Sequence, residues 1–186
     1  MKPFLWERFS TDGHLNGAYD RAGGALAALR RGAHAEPGAT ASMWPYYSQL
    51  NPEGRLTPSL RAEHVCLTAY GVHQQGVSYS AHQPTVGLGA ALRRLRHSGK
   101  FSEDAVDRHV EQLATASQLD ELSHHLITVV NLMKATKQPI GFDYTQLFKD
   151  LRALQDELQA GRVRRRWGAD YFRPEPTDTT TSRSNS

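Results

Sequence analysis

The chain contains a single cysteine, Cys66, and this scarcity excludes a disulfide framework within the chain. A reducing compartment is therefore expected. Cys66 lies in the apolar stretch HVCLTAY, which favours a small core residue over a nucleophile. No apolar run reaches the length of a secretory signal or of a membrane span. These absences predict a soluble, cytoplasmic protein that has no membrane partner.

Sequence motifs that carry chemistry are missing as well. The chain has no Walker A loop, no G-x-S-x-G, no glycine pattern for a dinucleotide and no H-E-x-x-H. Nine histidines are present, but the adjacent His124 and His125 would point about 100° apart on a helix. We therefore predict no catalytic residue, no bound metal and no cofactor. A small helical enzyme with an unfamiliar site is the alternative that these absences leave open.

Helical periodicity dominates what is present, and alternating strand patterns are scarce. A first helix is predicted from about Tyr19 to Arg31, with Gly32 as its terminator, and a short aromatic segment is predicted to begin with Ser42 as N-cap. A longer helix is predicted from Pro58, a residue suited to a first helical turn. The second half predicts helices with apolar stripes at 88–95, 106–113 and 119–133, and a fourth over 143–158. Gly161 is predicted to separate that fourth helix from a last one that carries Val163, Trp167 and Tyr171.

These patterns predict an all-α protein, with two small helical bundles in tandem and a disordered C-terminal tail. The polar stretch GVHQQGVSYSAHQPTVG is the predicted boundary between the bundles, or else a mobile loop. The predicted units are an N-terminal bundle over 1–80, a C-terminal bundle over 81–172 and a tail over 173–186. The tail has almost no apolar content, which is typical of disorder.

The stretch GLGAALRRLRHSGK, residues 87–100, concentrates positive charge without one carboxylate. The whole chain, by contrast, has a net charge of only +3, from 22 basic and 19 acidic residues. A continuous helix would place Arg93, Arg96, His97 and Lys100 on one flank, with Arg94 projecting away from them. A polyanion lying across that flank explains the stripe. The stripe is explained equally well as the C-terminal end of a helix before Gly99, where cations complement the helix dipole.

Other basic residues carry weaker signals. Arg30 and Arg31 end a helix, so the same dipole explanation applies to them. Arg55 lies in a loop, and Arg108 has carboxylates at helical spacing that predict a surface ion pair as readily as a ligand. Lys149 and Arg152 share a helix face whose positive charge Asp150 and Asp156 offset. The run RVRRRW, residues 162–167, favours a solvated face, with a nucleic-acid or protein contact as the alternative.

Several segments in order resemble one family: ALRRG, WPYYSQL, VCLTAY, GLGAALRRL, HHLITVVNLMK, FDYTQLFKDL and WGADYF. Over roughly residues 19–172 the chain resembles the CasB family, the small subunit of the type I-E CRISPR surveillance complex Cascade, which serves antiviral defence. None of these segments is a catalytic signature. The resemblance depends on their order, the chain length and the helical pattern.

The resemblance implies a non-catalytic protein that contacts guide RNA and target DNA without reading sequence, and helps to hold the displaced strand of the R-loop. It implies a second copy of the chain and the backbone and large subunits as partners. The predicted nucleic-acid-binding residues are basic: Arg30, Arg31, Arg55, Arg93, Arg96, Lys100, Arg108, Lys149 and Arg152. The resemblance implies Arg30, Arg31, Arg55 and the basic face around Arg93 and Arg108, and helical spacing adds the other four. The chain departs from the family at LSHHLITVV, where relatives often carry arginines. A purely structural protein–protein scaffold is the alternative function.

Overall fold

The computed structural model describes residues 2–174. Over that range the chain is mostly helical, with one two-stranded antiparallel hairpin, so the all-α class is confirmed. The hairpin pairs β1 (Ser10–Thr11) with β2 (His14–Leu15). The helices are α1 (Leu5–Phe9), α2 (Gly23–Arg31), α3 (Pro58–Gln74), α4 (Leu88–Arg96), α5 (Glu103–Thr115), α6 (Leu119–Ala135), α7 (Tyr144–Leu154) and α8 (Glu157–Tyr171). The predicted tail, apart from Arg173 and Pro174, lies outside the described residues.

Helix α3 lies at the centre of the fold. Thr57 caps it by accepting a hydrogen bond from the Leu60 N–H at 3.1 Å, and Pro58 occupies its first turn. The helix packs against α2, α6 and α7, and most of its residues are buried. A helix buried all round has no single apolar stripe. The predicted start at Pro58 and the buried state of Cys66 are both confirmed.

The apolar core continues across the predicted boundary at residue 80. Buried residues from α1 to α8 form one contiguous cluster. The polar segment after α3 is hydrogen-bonded into that core, since the Phe142 N–H donates to Ala81 O at 3.1 Å and the Gln83 N–H donates to Phe142 O at 3.0 Å. The Gln74 side chain also holds this segment through the Ala81 N–H. The division into units 1–80 and 81–172 stays a prediction.

The helices of the second half follow the sequence pattern except near residue 155. Ser102 and Asp143 cap α5 and α7 as predicted. The prediction that one helix continues to residue 158 and that Gly161 ends it is wrong. Helix α7 stops at Leu154, and Asp156 caps a new helix by accepting from the Leu158 N–H at 2.9 Å. Gly161 lies inside α8 and does not adopt the left-handed conformation that would end a helix. Leu158 is 95% exposed.

The N-terminal region differs from the prediction in three places. Tyr19–Arg21 forms a 3-10 turn, so α2 begins only at Gly23. Ser42 is not an N-cap, because it lies inside a 3-10 helix, Ala41–Tyr46, that Thr40 precedes. Pro45 within that segment has no N–H to donate, which disfavours a longer α-helix. The sequence reading also missed α1, which buries Trp6.

Helices α4 and α8 approach closely at Gly89, which generates a test of the packing. A Cβ at position 89 would lie 2.4 Å from the Trp167 carbonyl oxygen, whereas a Cβ at Gly168 would meet nothing within 4 Å. We predict that Gly89→Ala lowers the free energy of unfolding by about 1–3 kcal/mol, because backbone must move. Gly168→Ala, the matched control in α8, should be neutral or stabilising by up to about 1 kcal/mol. Urea denaturation measures both, and an unchanged Gly89→Ala protein would contradict the observed α4–α8 packing.

A buried histidine predicts how stability depends on pH. His73 is fully buried; its two ring nitrogens bond to the Tyr144 hydroxyl and the Ile140 carbonyl, each at 2.9 Å. Burial lowers the pKa of His73 to about 4, well below its ordinary 6.5. Between those values the unfolded chain binds a proton that the folded chain does not, so stability falls as pH falls.

From pH 7 to pH 5 the wild type should therefore lose about 2 kcal/mol more stability than His73→Gln, whose amide does not titrate. The Gln amide also keeps a donor for the Ile140 carbonyl. Urea denaturation at both pH values measures the difference. His14→Gln, at an exposed hairpin position, is the control and should track the wild type. Parallel curves for the wild type and His73→Gln would contradict a neutral buried imidazole.

Candidate nucleic-acid interface

Helix α4 presents its leucines to the core and its arginines outward. Leu88, Leu92 and Leu95 are buried, which confirms the predicted stripe. Their burial against α8 fixes the polar face of α4 at the surface. Arg93 is partly exposed on that face, and Arg94 is exposed. The fold therefore carries the basic stretch as a surface feature.

The predicted flank is shorter than expected, because α4 ends at Arg96 and His97 is its C-cap. Gly99 follows with φ of +72°, a left-handed conformation that turns the chain away from the helix axis. Lys100 therefore does not lie one helical turn beyond Arg96, and the prediction of a continuous stripe from Arg93 to Lys100 is wrong. Lys100 is exposed in the loop that follows the turn.

Arg96 is held by carboxylates of the neighbouring helix α5. Its guanidinium donates to both carboxylate oxygens of Asp107, at 2.8 and 3.2 Å, and pairs with Glu103 at 2.7 Å. The Tyr171 hydroxyl of α8 donates to the same Asp107 carboxylate. The hydrogen bond from Arg96 lowers the pKa of Asp107 below its ordinary value. Arg96 therefore ties α4, α5 and α8 together, and its charge is already balanced.

Three other cations of this stretch, which we call the α4 basic cluster, are Arg93, Arg94 and Lys100. The Arg93 guanidinium donates to the Arg173 carbonyl at 3.1 Å, and that of Arg94 donates to the Pro139 carbonyl at 3.2 Å. Within residues 2–174 none of the three forms an ion pair. Backbone carbonyls orient a guanidinium but leave its net charge uncompensated, so this cluster keeps its attraction for anions.

The remaining predicted site residues occupy separate surfaces. Arg55 pairs with Glu53 at 3.2 Å in an exposed loop. Arg31 and Arg108 are exposed, and neither forms an ion pair among the described residues, so the ion-pair alternative for Arg108 is not observed there. Arg30 is partly buried, with its Nε donating to the Leu26 carbonyl at 3.3 Å.

Lys149 and Arg152 are exposed on α7, as the sequence predicts. Arg152 lies over the Phe148 ring, 5.8 Å from its centroid. The expectation that Asp150 dilutes their charge is wrong, because Asp150 is buried and points into the protein. Its carboxylate accepts hydrogen bonds from Arg166 and from the Trp167 indole. Asp150 therefore does not offset the surface charge of Lys149 and Arg152, whereas Asp156 is exposed.

A groove of about 630 Å³, the α3 groove, lies between α2 and α6 with α3 as its floor. It contains Arg30, and the side chain of Lys134 lies beside it, donating to the Val72 carbonyl at 2.6 Å. Partial burial, followed by the charge of Arg30, lowers the pKa of Lys134. Sequence reasoning missed this juxtaposition, since residues 30 and 134 meet only through the tertiary fold.

Two further structural findings bear on function. Within the described part of the chain, no group of three or more His, Cys, Asp or Glu side chains is arranged to hold a metal ion. Over the same residues, no helix combines the length and the apolar character that crossing a membrane requires.

The comparisons with known proteins place this helical fold in a class. A family model described as CRISPR-associated protein Cse2 matches residues 25–172. The crystal structure of CasB from Thermobifida fusca is 26% identical, with a TM-score of 0.61 over 79% of this chain and 82% of that chain. No individually curated sequence matches significantly.

Two structures from Thermus thermophilus share the fold. Its CasB is 22% identical, with a TM-score of 0.63 over 91% of this chain and 99% of that chain. A CRISPR-associated protein of the Cse2 family from the same organism is 23% identical, with a TM-score of 0.62 over 84% and 88%.

These findings define a class of small, mostly helical CRISPR-associated subunits. The chain belongs to the Cse2 family, the CasB-type small subunits of Cascade that its sequence resembles. This family is one of structural Cascade subunits and is not a known enzyme family. Membership supports association with other Cascade components.

The Arg96–Asp107 contact predicts a pH-dependent contribution to stability. Because the pKa of Asp107 is lowered in the folded chain, the contribution is present above the ordinary pKa of an aspartate and is lost as pH falls below it. We predict that Asp107→Asn is less stable than wild type near neutral pH, and that the difference shrinks below about pH 4.

Urea denaturation over a pH series measures this difference. Asp104→Asn provides the matched control, since Asp104 lies in the same helix, is exposed and bonds to no arginine among residues 2–174. It should leave the acid limb of the wild-type curve unchanged. A gap between wild type and Asp107→Asn that stays constant down to pH 3 would contradict an ionised, arginine-bound Asp107.

Proposed function

We propose that this chain is the non-catalytic small subunit of a type I-E Cascade complex in the cytoplasm, and that it holds guide RNA, target DNA and the displaced strand of the R-loop. Basic surface residues would make these contacts with the nucleic-acid backbone, without reading sequence. Base pairing between guide and target supplies the sequence specificity in such complexes. A second copy of the chain and the backbone and large subunits are its proposed neighbours.

The observation that carries this proposal is that some cations around α4 are paired with carboxylates and others are not. Arg96 is neutralised by Asp107 and Glu103, whereas the α4 basic cluster meets no carboxylate among the described residues. Like charges that remain uncompensated repel one another, so their clustering costs stability unless an anion binds. A phosphate backbone supplies anions at a regular spacing. Arg93 and Lys100 are therefore the preferred phosphate contacts, and we propose Arg94 as a third.

The other predicted residues differ in how readily each could contact a nucleic-acid strand. Arg31, Arg108, Lys149 and Arg152 are exposed and available. Arg55 would have to exchange Glu53 for phosphate, which costs little because an exposed ion pair is worth only about 0–1 kcal/mol. Arg96 ranks last, since a phosphate would compete with a two-pronged carboxylate contact. We propose a positioning role for Arg96 instead of a phosphate contact.

The alternative is a purely structural scaffold that makes no nucleic-acid contact. Exposed Trp44, Leu50 and Phe172 favour protein contacts in addition to the basic surfaces. The two functions differ in their salt dependence, because only phosphate contacts release counterions from a strand. They also differ in whether charge reversal at α4 weakens the binding of a nucleic-acid strand.

Binding of single-stranded DNA by the full-length chain tests the proposal. If about four phosphates are contacted, log affinity should fall with log salt at a slope of about −3. The double variant Arg93→Glu, Lys100→Glu should reduce the steepness of that slope by about 1.4, since two cations are lost. Arg21→Glu, a charge reversal at an exposed site on the 3-10 turn before α2, is the matched control. Binding that ignores both salt and the double variant would refute the electrostatic contact.

Reconstituted Cascade gives the complementary measurement. Omitting this subunit, or replacing it with the double variant, should shorten the lifetime of the R-loop on target DNA. The double variant should still fold, because neither position is buried. Its incorporation into the complex is checked before the lifetime is measured. An unchanged lifetime in both cases would favour the scaffold alternative.

A further inference from the structure

The α3 groove has a mixed character that distinguishes it from the basic surfaces. Leu56, Val65 and Ile127 contribute apolar surface to it, while Arg30 and Arg61 contribute positive charge. Two carboxylates, those of Glu36 and Asp120, also line it. Neither carboxylate forms an ion pair with a described residue. The groove therefore offers apolar contact together with charges of both signs.

The two carboxylates that line the groove favour a peptide over a nucleic-acid strand as its occupant. A nucleic-acid strand would bring phosphates toward Glu36 and Asp120, and like charges at close range are repelled. A peptide can instead choose its side chains position by position. Apolar residues can cover the floor while an acidic residue reaches only the basic end. The charge pattern of the groove thus favours a peptide.

The groove is basic at one end. Val72 and Arg30 line that end, and Lys134, which bonds to the Val72 carbonyl, is near enough to Arg30 for the two charges to interact. Arg61 lies near Leu119, the neighbour of Asp120, toward the opposite end. Residues 61 and 72 are eleven positions apart on α3, a rise of about 16 Å along the helix. An extended peptide advances about 3.3 Å per residue, so about five residues would fill this length.

We propose that the α3 groove is a docking site for a short apolar segment of a partner protein, with an acidic side chain bound between Arg30 and Lys134. The inference deepens the proposed function, because it assumes that the chain works inside a multi-subunit complex. It assigns Arg30 to a carboxylate of a protein rather than to a phosphate. It also gives a role to Ser123 and Ile127, which face the groove from α6.

A peptide screen tests the docking site. Short overlapping peptides that tile the other Cascade subunits are labelled with fluorescein and titrated with the full-length chain by fluorescence anisotropy. We expect the binding peptides to share an apolar core that carries an acidic residue at one end. Ser123→Trp, which fills the groove, should weaken their binding at least about tenfold. Asn131→Trp, at an exposed position of the same helix that does not line the groove, is the control and should bind like wild type.

A charge exchange separates specific docking from a folding defect. Arg30→Glu should weaken an acidic peptide about tenfold, and replacing the acidic residue of that peptide with Lys should restore its binding to the variant. Loss of binding without this rescue would overturn the assignment of the basic end. The absence of any binding peptide would overturn the docking site.

The outcome is distinguishable from failure of the nucleic-acid role. Arg93→Glu with Lys100→Glu should leave peptide binding unchanged, and Ser123→Trp should leave the salt slope of single-stranded DNA binding unchanged. If single-stranded DNA instead displaces the peptides, and Ser123→Trp abolishes DNA binding, the groove is a nucleic-acid site and the proposal is wrong.

Discussion

Most residues of helix α3 are buried, and this burial constrains the rest of the fold because its polar side chains must find partners inside the protein. The carboxylate of Glu63 accepts hydrogen bonds from the Ser48 N–H, the Ser48 hydroxyl and the Gln49 N–H, at 2.7 to 2.8 Å. Gln74 and His73 bond to the segments around residues 79–81 and 140–144. Loops from both halves of the chain are thus fixed to one helix, and burial raises the pKa of Glu63 in spite of its three donors.

The surfaces proposed for function follow from that central helix. Helices α2 and α6 pack against α3 and leave the α3 groove between them. Helix α4 packs on α8, and Arg96 and Asp107 join α5 to this pair of helices. One arginine of the basic stretch is thereby used to hold helices together, while Arg93 and Lys100 stay exposed to an anion. A structural role and a binding role are divided between neighbouring cations.

Much of the fold could be predicted from the sequence, because apolar residues at helical spacing and local caps are local signals. The leucines of α4 and the caps Ser102 and Asp143 are examples. The helix break at Asp156 was not predicted, because the apolar spacing continues through it to Leu158. That leucine is exposed in the structure. The short helix α1 escaped because its five residues are stabilised by tertiary packing, with Trp6 bonded to Thr145.

The candidate site could be predicted only as a set of basic residues. Local sequence does not show that Arg96 meets Asp107, eleven positions away, or that Asp150 turns inward toward Trp167. Those contacts depend on how helices pack, and they decide which cations remain free. The family, by contrast, followed from the order of several segments and is confirmed by the match over residues 25–172.

In the proposed function, the exposed cations of the α4 stretch lie against nucleic acid in the assembled complex. Photocrosslinking tests it most directly, with a photoreactive side chain placed in turn at positions 93, 100 and 21 of this subunit in reconstituted Cascade bound to target DNA. We expect crosslinks to labelled guide or DNA strands from positions 93 and 100, and none from position 21. Crosslinks from positions 93 and 100 to protein subunits alone would contradict it.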